Sequence, residues 1–177
     1  MSLRRFPGDS AASRKIVWAK HCAQFVVLFL AGTVAHYFTR PLVGPILNVL
    51  LNAKVAARLI NVFTPSENVR AVGSTVGSVN TYIQVAQGCE GFDLVLMLSA
   101  AVIVFPLPMR RKLQGLLLGT LLMYSLNLTR LVGLWYCLRY FPSSIDTMHM
   151  IVGQTLMIVA GVAFFVAWTG VFRGIRA

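Results

Sequence analysis

A chain of 177 residues that is 57% hydrophobic and 12% charged, with a mean hydropathy of +0.74, is too apolar for a soluble domain. It reads as a single integral membrane domain with no appended soluble module. Its net charge of +11 would suggest nucleic acid in a soluble protein, but here the cations gather at the ends of apolar runs. They therefore act as orientation signals, and no nucleic-acid partner is expected.

The expected fold is an all-α integral membrane protein: a four-span helical bundle, an outer-face amphipathic helix and a short β-hairpin before the second span. Residues 1–21 carry Arg4, Arg5, Arg14, Lys15 and Lys20 and form a basic cytoplasmic end. The first span covers 22–38; no Ala-x-Ala cleavage site follows it, so a cleavable signal peptide is disfavoured. The outer segment 39–91 comes next. Within it, 45–63 is apolar enough to compete as a further span, yet Asn48, Asn52, Lys54, Arg58 and Asn61 gather on one half of its helical wheel. Such a helix prefers the interface or a groove-forming position. The stretch 69–85 alternates partly, is rich in Val, Thr, Ser and Tyr, and has Gly73 and Gly77 as turn residues, which predicts a hairpin.

The remaining spans are 92–108, 113–131 and 150–172, each near the ~20 residues that a crossing helix needs. Arg110, Arg111 and Lys112 separate the second from the third, and Arg173 and Arg176 follow the fourth. The positive-inside rule then puts both termini in the cytoplasm. A crossing by 45–63 would reverse this, moving Cys89 inside and the Arg110 cluster outside.

With that orientation, three chemically complementary residues meet at the outer ends of three spans. Cys89 lies in GCEGFD (88–93), between two glycines and just before a helix, whose N-terminal N–H groups and partial positive charge stabilise a thiolate. Gly88 and Gly91 let a substrate backbone approach the sulfur, while the charge of Glu90 opposes thiol ionisation. Taken alone, a lone cysteine is more often a buried, inert one. Arg130 ends NLTR (127–130), where a guanidinium near hydrocarbon is costly; it suits an oxyanion or a carboxylate, or else snorkels to lipid phosphate. Asn127 shares its helix face. His149, in DTMHM (146–150), can take and return a proton near neutral pH, with Asp146 one turn earlier as ring orienter or helix cap. His36 is a reserve base near the outer end of the first span. Gly115 and Gly119 permit close helix packing or line a groove. Cys89 and Cys137 both lie toward the outer side, so a disulfide between them is conceivable, although Cys137 falls inside an apolar run.

The stretch 83–157, with VAQGCEG, FPLPMRRKLQGLLLG, NLTR and MHMIVGQ, resembles the core of the exosortase and archaeosortase family, and most closely its compact exosortase H subgroup. The resemblance implies a catalytic Cys89, Arg130 and His149. The residues themselves add Asn127, Gly88, Gly91 and Glu90 as the substrate and oxyanion surroundings, Glu90 being a departure from the family pattern. It implies a transpeptidase or protease of the bacterial inner membrane, with its active site facing the periplasm. The substrates would be exported proteins bearing a C-terminal motif, a hydrophobic span and a basic tail. The residues themselves suggest neither cofactor nor metal: no ligand cluster, phosphate loop or nucleotide motif is present. The competing reading is a non-catalytic membrane subunit or lipid-binding protein, whose outer cations hold phospholipid headgroups.

Overall fold

The computed structural model describes residues 11–85 and 91–170, with side chains from residue 16 onward. The chain is mainly helical. Helix α1 (Ala11–Gly44) runs through Pro41 and continues without a break into a π-helical stretch, Pro45–Ala53, and then α2 (Lys54–Phe63). A small antiparallel sheet follows, built from β1 (Arg70–Val72), β2 (Thr75–Gly77) and β3 (Tyr82–Gln84) in the order β1-β2-β3. The rest is α3 (Phe92–Val104), α4 (Met109–Tyr140), a short α5 (Ile145–Thr147), a second π-helical stretch, Met148–Gly153, and α6 (Gln154–Thr169).

Among the described residues, three helical runs are long and apolar enough to cross a membrane: Ile16–Phe63, Met109–Tyr140 and Pro142–Thr169. The expected span over 92–108 is instead the 13-residue α3, about 20 Å long against the ~30 Å hydrocarbon core. Its end is set locally. Pro106 disfavours helical geometry at the residue before it, and Phe105 is extended, with φ −63° and ψ 134°. The last span ends where Gly170 adopts a left-handed cap, φ 68°; residues 171–172 of the expected 150–172 span lie outside the described residues.

The segment 45–63 is also not a separate helix. Pro41 and Pro45 each remove a backbone donor, and the chain answers by widening its helical register rather than by stopping. Asn52 donates from Nδ2 to the Leu47 carbonyl oxygen at 2.9 Å, across five residues. The amphipathic character holds for the cations, since Lys54 and Arg58 are exposed. It fails for two of the asparagines. Asn52 is buried, and Asn61 bonds both the N–H and the C=O of Val69, each at 2.7 Å. The expected hairpin is a three-stranded meander: Gly73 turns (φ 58°), whereas Gly77 sits inside β2, where a Cβ would come within 2.7 Å of Tyr82 Cβ.

Packing divides the molecule into two halves. Antiparallel α1 and α3 meet where Gly32 accepts Leu96, and α4 meets α3 and α6 where Gly119 accepts Leu98 and Phe164 and Gly115 accepts the Trp168 ring. The glycine pair therefore serves helix packing, not a groove. Leu98, Val102, Met123 and Met157 form the core of this half. In the other half α2 runs beside α4, and the residues flanking it are tied to that helix: Tyr124 Oη donates to the carbonyl oxygen of Leu51 in the π-helical stretch at 2.7 Å, and Thr64 Oγ1, just after α2, bonds Tyr136 Oη at 2.6 Å. Ala53, Ala56, Ala57 and Ile60 pack there with Val69, Val76, Val85, Leu131 and Trp135, and the sheet rests on α2 and the π-helical stretch before it. Leu30, Leu117, Leu121 and Val159 are more than half exposed, as lipid-facing side chains would be.

Candidate functional site

Both π-helical stretches contribute to one place in the fold. The second brings His149 and Gly153 against α4, where Arg130 Nη2 lies 3.3 Å from His149 Nδ1 and 3.5 Å from the His149 carbonyl oxygen. Gly153 makes this approach possible: a Cβ there would fall 2.6 Å from Arg130 Nε and 3.0 Å from Cδ. Arg130 Nε is buried and has no hydrogen-bond partner among the described residues. The guanidinium only donates, so the contacted Nδ1 must be the accepting nitrogen and the neutral ring carries its hydrogen on Nε2.

One turn before Arg130, Asn127 is buried at 2% exposure and donates from Nδ2 to Asn52 Oδ1 at 3.2 Å, from the first π-helical stretch. Gly91 caps the start of α3 in a left-handed conformation, φ 76°, and presses on Asn127; an added Cβ would lie 2.8 Å from Asn127 Cγ. Only glycine meets both demands. Next to it, Phe92 stacks on His36 of α1 with centroids 4.0 Å apart and planes at 23°, and His36 is 4% exposed.

The expected site residues thus fall into two groups. Arg130 meets His149, and Gly91 meets Asn127 one turn away on the same helix. Cys89, Gly88 and Glu90 lie outside the described residues. Asp146 is exposed in the first turn of α5. Cys137 has a free thiol, with Sγ 3.7 Å from the Phe141 carbonyl oxygen, as does exposed Cys22. Two residues carry more than their sequence suggested. Asn52 sits on the polar side of the wheel yet turns inward to Asn127, and His36 was only a reserve although it is a polar residue set deep in an apolar run, one turn from Arg40.

Below the site lies an apolar groove between α1 and α6, floored by α3. It comprises two adjoining cavities of about 180 and 440 Å3 that share Phe25, Ala101 and Phe165. Its upper part reaches Leu94, Met123 and Met157, each about one helical turn from Gly91, Asn127 and Gly153 respectively. Among the described residues no group of three or more His, Cys, Asp or Glu is placed to hold a metal ion.

Comparisons with protein-family models, with curated protein sequences and with solved structures gave no match to this chain.

Proposed function

We propose that the chain is a membrane-embedded cysteine transpeptidase or protease that cuts C-terminal sorting signals from exported proteins. In this reading it is a multi-pass protein of the bacterial inner membrane with the site facing the periplasm and both termini cytoplasmic, which requires the short α3, antiparallel to α1, to return the chain across the membrane as a fourth pass. The observation that carries it is the Arg130–His149 contact, formed by two residues 19 positions apart and beside the helix whose first turn follows Cys89. Gly91, two residues after Cys89, packs against Asn127, one turn from Arg130, which supports a shared pocket.

The chemistry follows from donor counting. While Arg130 bonds Nδ1, that lone pair is unavailable to a thiol. The contact is long, at the weak end of the hydrogen-bond range, so a substrate oxygen can draw the guanidinium away at little cost. As Sγ of Cys89 attacks the scissile carbonyl carbon, its proton passes to the freed His149 nitrogen, and Arg130 donates to the oxyanion. Collapse re-forms the C=O, breaks the C–N bond and returns the proton from His149 to the departing amine. The thioester is then opened by an amine or hydroxyl acceptor, giving transfer, or by water, giving hydrolysis. The groove beneath, apolar and continuous toward the site, suits the hydrophobic span of such a substrate.

The test is a gel shift of a co-expressed exported reporter that ends in a short polar motif, an apolar span of about 20 residues and a basic tail. Wild type should shorten the reporter and Cys89→Ala should not, at equal levels of inserted protein. Equal processing by both would remove the thiol mechanism and favour a non-catalytic, lipid-binding role.

A further inference from the structure

The sheet that leads into the Cys89 segment has two edges, and they are not equivalent. Val85 N–H donates to Ser74 O at 2.9 Å and Ser78 N–H donates to Thr81 O at 2.8 Å, with Val76 opposite Ile83 between them. In an antiparallel ladder the bonded pairs alternate, so Thr81, Ile83 and Val85 direct their backbone groups to β2. Tyr82 and Gln84 therefore present N–H and C=O to the outer edge of β3. Both side chains are exposed, whereas Thr81 and Val85 are buried beneath.

The same alternation makes Val69 and Ala71 the outward residues of β1, which pairs through Arg70 with Gly77 and Val72 with Thr75. There the edge is already occupied in part, because Asn61 of α2 takes both the N–H and the C=O of Val69. No described residue does this for Tyr82 or Gln84. Edge strands left open in this way are templates for another strand. The open one belongs to the strand nearest Cys89 in sequence: Cys89 is five residues beyond Gln84, a separation of at most about 17 Å for any course of the chain.

We infer that β3 is the peptide-binding edge of the site: an extended segment of the substrate, adjoining its scissile bond, adds as a fourth strand and pairs with the backbone of Tyr82 and Gln84. This deepens the reading of Cys89 as the nucleophile and rests on it. Two donors and two acceptors on alternate residues hold any extended chain, so this edge sets the register of the substrate while leaving its side chains to be chosen elsewhere. The segment it accepts must lack proline where it faces Tyr82 and Gln84.

The decisive variant is Gln84→Pro, which deletes an N–H that the internal ladder does not use. Ala71→Pro deletes the matching N–H on the β1 edge. With the reporter above, Gln84→Pro should lower kcat/KM about tenfold or more through a raised KM, while Ala71→Pro processes as wild type does. In a Cys89→Ala background, a photoreactive p-benzoylphenylalanine in place of Tyr82 should capture the intact reporter, and one in place of Val72 should not. The crosslinking arm decides the matter should either proline variant fail to insert. Equal processing by the two proline variants, or capture at position 72 but not at 82, overturns the edge assignment and leaves the thiol mechanism standing. Processing by Cys89→Ala overturns the mechanism instead.

Discussion

Gly153→Ala probes the Arg130–His149 pair without touching either residue. The new Cβ would lie 2.6 Å from Arg130 Nε, 3.0 Å from Cδ and 3.1 Å from the Met148 carbonyl oxygen. Relief to an ordinary contact of about 3.5 Å requires Arg130 to move by about 0.9 Å, since the Met148 carbonyl oxygen at 3.1 Å already crowds the new methyl. The guanidinium is already 3.3 Å from Nδ1, so a shift of that size ends the bond. Misplacement by about 1 Å costs on the order of 100-fold in rate, or about 2.7 kcal/mol in the barrier. Stability changes less: alanine gains up to about 1 kcal/mol in helix propensity against about 1–3 kcal/mol of overpacking, a net loss of roughly 0–2 kcal/mol. The assay is the initial rate of reporter shortening at matched levels of inserted protein, with Gly133→Ala as reference, since no heavy atom lies within 4 Å of a Cβ at that position on the same helix as Arg130. Arg130→Lys should fall with Gly153→Ala, because an ammonium lacks the planar fork of donors. A Gly153→Ala protein that processes at the Gly133→Ala rate would refute the role assigned to this pair.

Asn127→Leu should lower the melting temperature in detergent, because it strands a 2%-exposed Asn52 at a cost of about 1–3 kcal/mol; adding Asn52→Leu should recover part of the loss, and simple additivity in a double-mutant cycle would show that the two amides do not interact. Gly115→Ala should destabilise by about 1–3 kcal/mol, as its Cβ would meet the Trp168 ring at 2.5 Å; pairing it with Trp168→Leu should relieve the strain, and an unchanged melting temperature for the single variant would argue against this packing.

Legibility in the sequence followed the range of the interaction. The apolar runs of α1, α4 and α6 and the start of α3 at Phe92 were readable because hydrophobic length is a local property, whereas the left-handed conformation of Gly91 before that start was not. The end of α3 was open to the same reasoning through Pro106, but hydropathy carried the expected span past it to 108. The continuity of α1 through Pro41 into α2 was not readable, since two prolines ordinarily argue for a break and here α4 and the sheet hold the chain helical. At the site, Arg130 and His149 were nameable from residue type and position at span ends. Their convergence was expected from span topology, but the close approach of one to the other was not legible, because it depends on Gly153 clearing space for Arg130.

Composition by itself determined that the chain belongs in a membrane, because 57% apolar residues leave too little polar surface for water. Tertiary structure decided which polar residues face one another. Asn52 meets Asn127 across 75 residues and Arg130 meets His149 across 19, and such pairings arise from how helices cross and where glycines let them approach. No periodicity along one segment encodes a distance between two.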